Sequence, residues 1–456
     1  MNGTRAMRVM VMGLGVAGLA TVRDLLRRGF RVAVSEQCAA DGIAPEVRSF
    51  LDTAGVELET GGHTTAFLAG AGMVVPGPGV PLNAPVLVAA RGRDIPIRGE
   101  LALAAGRFPV PVIAVTGSNG KTTVTSLIGE LLRASGKRPF VGGNIGTPLL
   151  DFFEEPERFD IAVLELSSFQ LDLLGDFRPD IGLLLNITPD HLDRHGSLAA
   201  YATAKRRLFQ GQRPGDTALV SGNDSLAAQT PVPAGVRRLV FGTDPACAAR
   251  IDGCRVCIRM ESGGEEDAYD LEQTRLHSPV NRLNAAAAIL AATVAGCTAE
   301  GIAAGLASYV PPPHRMAEVG TVRGIRCIDD SKATNIGALA AALEGCDGPV
   351  ALIAGGRDKG GDYRLLRDVV QRKVGQLVLL GEAAELMAAA LADLAPVIRV
   401  GSMAEAVDQA LEAAEPGWVV LLAPGCSSFD MFSGYAERGR VFTERVRAAQ
   451  RQEEEG

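Results

Sequence analysis

Residues 113–123 read Ile-Ala-Val-Thr-Gly-Ser-Asn-Gly-Lys-Thr-Thr. The apolar run from Pro111 to Val115 reads as a buried strand. After the threonines, Val124, Leu127, Ile128, Leu131 and Leu132 recur at helical spacing. Strand, glycine-rich turn, lysine, hydroxyl and helix follow one another in the order of a phosphate loop. Gly117 and Gly120 let the backbone around Ser118 and Asn119 curl until its N–H groups face phosphate oxygens, and the positive end of the new helix adds to the attraction. Lys121 offers a point charge to the β/γ-phosphates and Thr122 a hydroxyl to Mg²⁺, with Thr123 beside it. The stretch predicts ATP or GTP bound at one end of a parallel α/β sheet. Its spacing is compact: the commoner pattern has a glycine where this chain has Val115.

Working outward, the 456 residues suit two or three units of roughly 100–200 residues each. The chain is 47% hydrophobic but only 5% aromatic, as expected of an Ala- and Gly-rich α/β protein. A net charge of −8 with no basic stripe argues against nucleic acid as a partner. The eight cysteines are scattered, and a chain of this size needs no disulfide staples. Cys254-x-x-Cys257 lies in a strand-like run without a second ligand pair, so zinc is disfavoured. Arg5, Arg8 and the apolar stretch to Val22 resemble a signal peptide in outline. Yet that stretch holds Gly13-x-Gly15-x-x-Gly18 and runs into an amphipathic pattern. With no apolar run of about 18 residues elsewhere, the expectation is a soluble cytoplasmic protein with no membrane partner.

Before the phosphate loop, strand Met7–Met12, the glycine turn, helix Ala17–Arg28 and strand Arg31–Val34 form a Rossmann-like unit, with Glu36 at the strand end. Gly77-Pro78-Gly79 follows a further strand, Ala71–Val75. The stretch Arg91–Pro109 is polar and turn-rich and places a boundary near residue 106. After the loop, strands at Ile161–Leu166, Ile181–Asn186 and Thr217–Ser221 alternate with helices, and a helical Asn281–Ala295 precedes Pro311-Pro312-Pro313. Strands at Ile325–Asp329, Val350–Ala354, Leu377–Leu380 and Trp418–Leu422 then make a third α/β unit. The expected units are 1–106, 107–311 and 312–456: Rossmann-like, central phosphate-loop sheet with helices, Rossmann-like. The charged tail from Gln450 is expected to fray.

Glu165 ends a strand beside the loop, a common station for a Mg²⁺ ligand. In Asp190-His191-Leu192-Asp193-Arg194-His195, His191 is favoured as a ligand to a second Mg²⁺ or its water, and His195 is expected at the surface. Lys205, in a helical run, has no role from its own surroundings in the sequence. His314-Arg315, Asp329–Asn335, Gly355–Gly361 and Pro424–Asp430 sit at strand ends, where α/β sheets present ligand loops.

With these pieces placed, the chain resembles the Mur ligase family over essentially its whole length, and within it the D-glutamate-adding branch. The motifs are Thr-Gly-Ser-Asn-Gly-Lys-Thr-Thr (116–123), Gly-Gly-Asn-Ile-Gly (142–146), Leu-Glu-Leu-Ser-Ser-Phe-Gln-Leu (164–171), Asp-His-Leu-Asp-Arg (190–194), Asp-Ser-Lys-Ala-Thr-Asn (330–335) and Ser-Ser-Phe-Asp (427–430). The resemblance implies a monomeric ATP-dependent ligase of cytoplasmic peptidoglycan-precursor synthesis. Its substrates would be UDP-N-acetylmuramoyl-L-alanine and D-glutamate, joined through an acyl phosphate. It implies that Lys121 and Thr122 meet ATP phosphates, that Asn281, Arg315 and Asp330 contact ATP, and that Thr122, Glu165 and His191 serve two Mg²⁺ ions. Lys205 matches a lysine that CO₂ carbamylates into a metal-ligating anion. Asn144, Gly15, Val16, Ala17, Glu36 and Gly77 fall on the UDP-substrate side. Lys332, Thr334, Lys359, Ser428 and Tyr435 fall where D-glutamate is gripped.

The chain departs from the family pattern at Glu36-Gln37-Cys38 (usually Asp-Thr-Arg), Gly77-Pro78-Gly79 (Ser-Pro-Gly), Val280-Asn281 (His-Asn) and Tyr435 (a common phenylalanine). The rival readings are a folylpolyglutamate synthase-like ligase, a switch NTPase and a dehydrogenase. They are opposed respectively by the N-terminal unit, by the Glu165–His191–Lys205 set, and by the phosphate loop.

Overall fold

The computed structural model describes residues 7–260 and 265–455. They form three sheets. In the first, four parallel strands run in the spatial order Glu57–Glu59, Arg31–Ser35, Arg8–Met12, Ala71–Pro76. Chain order reverses between Arg8–Met12 and Ala71–Pro76, so the glycine turn and the Gly77–Gly79 loop flank one crevice at their carboxyl ends. Gly18 belongs to the helix Val16–Arg27, and a Cβ there would collide with the Gly13 carbonyl. The third glycine of the fingerprint therefore permits close helix–turn packing.

The second sheet has nine strands. Val112–Thr116, which carries the phosphate loop, lies between Ile161–Glu165 and Ile181–Leu184, all parallel. All of its residues are buried, matching a continuous apolar run covered on both faces. At the far edge, Ala249–Asp252, Arg255–Ile258 and Asp267–Asp270 pair antiparallel. The sequence reading found the middle of these strands and missed the others, which are short and polar outside. The third sheet runs Ala317–Val322, Ile325–Asp329, Val419–Gly425, Val350–Gly355, Val374–Leu380, Val397–Arg399, and only its first pairing is antiparallel.

Two expectations fail. Arg91–Pro109 is not polar and turn-rich throughout: Glu100–Ala104 is helical, with Leu101, Leu103 and Ala104 buried in the neighbouring core. Nor is Gln450 onward loose. The last helix runs Tyr435–Glu455, with Phe442 and Val446 fully buried, Gln450 Nε2 donating to the Thr321 carbonyl (3.0 Å) and Glu453 accepting from the Arg323 N–H (2.8 Å). Among the described residues no helix is long and apolar enough to cross a membrane.

Candidate active site

The phosphate loop closes on a left-handed residue. Gly120 has φ +83° and caps the helix Lys121–Ala134, and a Cβ there would collide with Asn284 Oδ1. Lys121 Nζ donates to the Gly117 and Ser118 carbonyls, both at 2.9 Å. Burial pushes its pKa down, partly offset by Glu165 and Asp190. Thr122 Oγ1 donates to Glu165 Oε2 (2.7 Å), and Asn144 Nδ2 donates to Glu165 Oε1 (2.9 Å). Parallel pairing of Val112–Thr116 with Ile161–Glu165 brings this carboxylate to the loop. Asn186 reads the loop backbone: its Oδ1 accepts from the Asn119 N–H (2.8 Å) and its Nδ2 donates to the Asn119 carbonyl (3.1 Å).

Lys205 is 1% exposed, and its Nζ donates to the Gly117 carbonyl (2.7 Å), which Lys121 also uses. Burial, then the charge of Lys121, pushes its pKa well below the ordinary lysine value. The Tyr201 ring lies 4.6 Å from Nζ.

The phosphate loop from Ser118 onward and Glu165 face a cleft of about 610 Å³ between the central and third sheets. Ser118 to Thr123, Asn144, Glu165, His191, Asn281, Arg315 and Asp330 line it from one side or the other. Lys332, Thr334, Lys359, Ser428 and Tyr435 line it from the loops after the third sheet's strands. Lys332 Nζ stands 3.9 Å over the Tyr435 ring, and burial pushes its pKa down to about 8. Lys359 Nζ meets Asp190 Oδ1 at 3.3 Å. Burial raises the Asp330 pKa to about 7 against the pull of Arg315. Gly117 and Lys205 do not line the cleft.

His191 caps the short helix Leu192–His195 in a left-handed conformation (φ 54°), and burial lowers its pKa to about 4, leaving a neutral ring. A spacing of four residues would put His191 and His195 on one helix face, but His191 lies just outside the helix. His195 is not at the surface: its side chain is 6% exposed, stacks on Phe169 (5.4 Å) and lies 2.9 Å from Ser168 Oγ. His195 is the last residue of that helix, and Phe169 and Tyr201 pack against its ring.

Of the residues expected on the UDP-substrate side, Asn144 sits in the main cleft. Ala17 and Gly77 line a separate narrow crevice with Phe169, Gln170 and Arg194. Arg194 bridges the two sheets there, donating to the Gly79 (3.1 Å) and Val80 (2.7 Å) carbonyls. Gly15 and Val16 lie at the start of the first helix, Val16 being 70% exposed. Glu36 accepts from the Leu14 (2.5 Å) and Cys38 (3.0 Å) N–H groups. Burial opposes its ionisation, yet these amides hold its pKa below the usual carboxylate range. The fingerprint acid is thus spent on the glycine turn itself.

Sequence reasoning gave no role to Asp190, Asn186, Asn284 or Asn335, all at the cleft or the loop. Asp190 and Asn335 stand inside quoted motifs and Asn186 at the end of an expected strand, but a polar residue's partner across two sheets leaves no mark in its neighbours. Among the described residues no group of three or more His, Cys, Asp or Glu is placed to hold a metal. Any cation here would be held by the Glu165 carboxylate and the Thr122 hydroxyl, hard oxygen donors that suit Mg²⁺.

Three parallel-rich sheets, with a phosphate loop at the centre and lysine- and hydroxyl-bearing loops facing it, define a multi-unit phosphate-loop α/β protein. The chain belongs to the Mur ligase family: its residues 7–99, 115–292 and 314–426 match the MurD-like N-terminal domain, the Mur ligase middle domain and the Mur ligase glutamate ligase domain. It is 44% identical to the UDP-N-acetylmuramoylalanine–D-glutamate ligase of Desulfotalea psychrophila, over 96% of this chain and 95% of that one. It is 39% identical to the enzyme of the same name from Syntrophotalea carbinolica, over 97% and 98%. In fold it is similar to the MurF ligase of Thermotoga maritima solved with ADP (TM-score 0.62, 18% identity, 99% and 96% covered). It is likewise similar to the UDP-N-acetylmuramate–alanine ligase MurC of the same organism (0.60, 18%, 97% and 100%).

Proposed function

We propose that this chain is an ATP-dependent, ADP-forming amide ligase that adds D-glutamate to UDP-N-acetylmuramoyl-L-alanine in peptidoglycan-precursor synthesis. The observation that carries the reading is the shared cleft: the phosphate loop and Glu165 face Lys332, Lys359 and Ser428 across one cavity. An activated carboxylate and an amino acid with two carboxylates can meet there. The relatives' name supplies the identity of both substrates.

The loop amides and Lys121 bind the transferring phosphate, whose chemistry needs charge neutralisation more than acid–base help. Until then the loop's own carbonyls hold the ammonium. Mg²⁺, held by Thr122 and Glu165 and assisted by the neutral His191, supplies charge neutralisation at the phosphates when bound. A carboxylate oxygen of the first substrate attacks the γ-phosphorus, the bond to the β-phosphate oxygen breaks, and ADP leaves. The D-glutamate amine then attacks the acyl carbon, the carbon–oxygen bond to phosphate breaks, and the amine proton departs. Lys332 and Lys359, with the hydroxyls of Thr334, Ser428 and Tyr435, grip the two carboxylates by charge-assisted hydrogen bonds. Asn281, Arg315 and Asp330 hold ATP. Asn144 and the crevice beside Gly15, Val16, Ala17, Glu36 and Gly77 hold the UDP-sugar. Lys205, buried and biased toward its neutral amine, attacks the carbon of CO₂ through Nζ and loses one N–H proton to give a carbamate. The carbamate puts a carboxylate-like negative charge on a side chain that is otherwise neutral or cationic, fit to serve a second Mg²⁺.

Phosphate release tests the reading, with ATP, UDP-N-acetylmuramoyl-L-alanine and, in parallel, D-glutamate, L-glutamate, L-alanine or meso-diaminopimelate. Release with D-glutamate alone is expected. Release with another amino acid would move the chain to a different branch, and none at all would overturn the substrate assignment.

A further inference from the structure

The phosphate loop and the amino-acid loops grow from different sheets, yet one carboxamide joins them. Asn335 follows Lys332 and Thr334 and is 7% exposed. Its Oδ1 accepts from the Ala338 N–H (2.8 Å), capping the helix Ile336–Glu344. Its Nδ2 donates to Asn119 Oδ1 in the phosphate loop and to Asp190 Oδ2, both at 3.0 Å. Asp190 in turn accepts from Lys359. Only a carboxamide meets these demands together: the helix end needs an acceptor, and the central sheet offers two acceptors that need donors. An aspartate would cap the helix equally well but would set a second carboxylate against Asp190.

A second observation points to the same contact. Gly337, in the first turn of that helix, has no room for a methyl: a Cβ would lie 2.9 Å from Thr188 Oγ1 and 3.3 Å from Asn119 Nδ2. The start of the helix is seated directly on the phosphate-loop side of the cleft.

We infer that Asn335 is a positioning residue that couples the phosphate loop to the amino-acid loops. It fixes the register of Lys332, Thr334 and Lys359 against Asn119 and Asp190. The inference rests on the functional reading above. Its test compares Asn335→Asp, the exchanged pair Asn335→Asp with Asp190→Asn, and Gly337→Ala. Asn335→Asp keeps the cap, so its melting temperature stays near wild type. Its KM for D-glutamate rises by about tenfold or more, while affinity for a non-hydrolysable ATP analogue changes by less than about threefold. The exchanged pair restores the amide–carboxylate bond between positions 335 and 190, though not the bond to Asn119 or the ion pair with Lys359, and so recovers part of the loss. Gly337→Ala, a better helix former, sets its methyl against Thr188 Oγ1 and Asn119 Nδ2 and raises that KM. An unchanged KM in Asn335→Asp, or an exchanged pair as impaired as the single variant, would overturn the inference. A wild type inactive with D-glutamate would sink the functional reading instead. The coupling is then read by hydrogen exchange: the ATP analogue protects amides 335–339 in wild type and not in Asn335→Asp. Equal protection in both would refute it.

Discussion

Lys205 shows what a single residue can and cannot disclose. In the sequence it is one lysine of a helix. In the structure it is buried, shares the Gly117 carbonyl with Lys121 and is held toward its neutral form. Only the family motif singled it out, because burial and a second lysine 84 positions away in the chain are not written beside it. If Lys205 is carbamylated, Lys205→Ala loses about 100-fold in turnover, the scale of losing a metal-site group. Short-chain carboxylic acids then restore part of it, and a fully active variant would remove the carbamate from the account. Glu100 makes the second residue-scale prediction. One oxygen accepts from Gln170 Nε2 (2.6 Å), the other has no partner among the described residues, and burial raises the pKa to about 7. The folded state keeps a proton that the unfolded chain has already lost above the ordinary carboxylate value. Stability therefore falls as pH rises from that value through about 7. Glu100→Gln removes a penalty of about 3 kcal/mol. Thermal melts of the two proteins should coincide near pH 4.5 and separate by pH 8, the variant melting higher.

At the scale of elements, the phosphate loop was legible because its chemistry is local: strand, glycines, lysine and helix are contiguous. Gly120 carries a conformation that other residues adopt at a cost of about 1–2 kcal/mol, and Asn284 occupies the space a side chain would need. Gly120→Ala should weaken ATP-analogue binding by about tenfold or more in calorimetry. The short edge strands and the final helix were less legible. The helix Tyr435–Glu455 is strongly charged, and it is ordered because Phe442 and Val446 sit in the third unit's core, not because of its own propensity. Phe442→Ala is expected to cost about 3–5 kcal/mol in denaturant unfolding. A loss near zero would mean that the helix is not docked. The placement of His195 failed for the same reason, since its burial depends on Phe169 and Tyr201 from elsewhere in the chain.

Across the whole molecule, one apolar core runs from the first sheet into the central one, joining Val9, Val34 and Leu101 to Phe152 and Leu164. The third sheet has two cores of its own and meets the central unit at the cleft through Asn335, Lys359 and Asp190. We propose units 1–106, 107–311 and 312–456 on this basis, with the first two moving as one body and the third able to turn against them. The alternation of strands and helices announced three α/β units. It could not announce this unequal coupling, which depends on which faces meet. The cleft where they meet is the place for carboxylate activation, and isotope transfer reads that step directly. With ¹⁸O in the carboxylate of UDP-N-acetylmuramoyl-L-alanine, plus ATP and D-glutamate, the released phosphate should carry one ¹⁸O as the amide forms. Unlabelled phosphate would mean that water, and not the substrate carboxylate, takes the phosphoryl group, and would contradict the account.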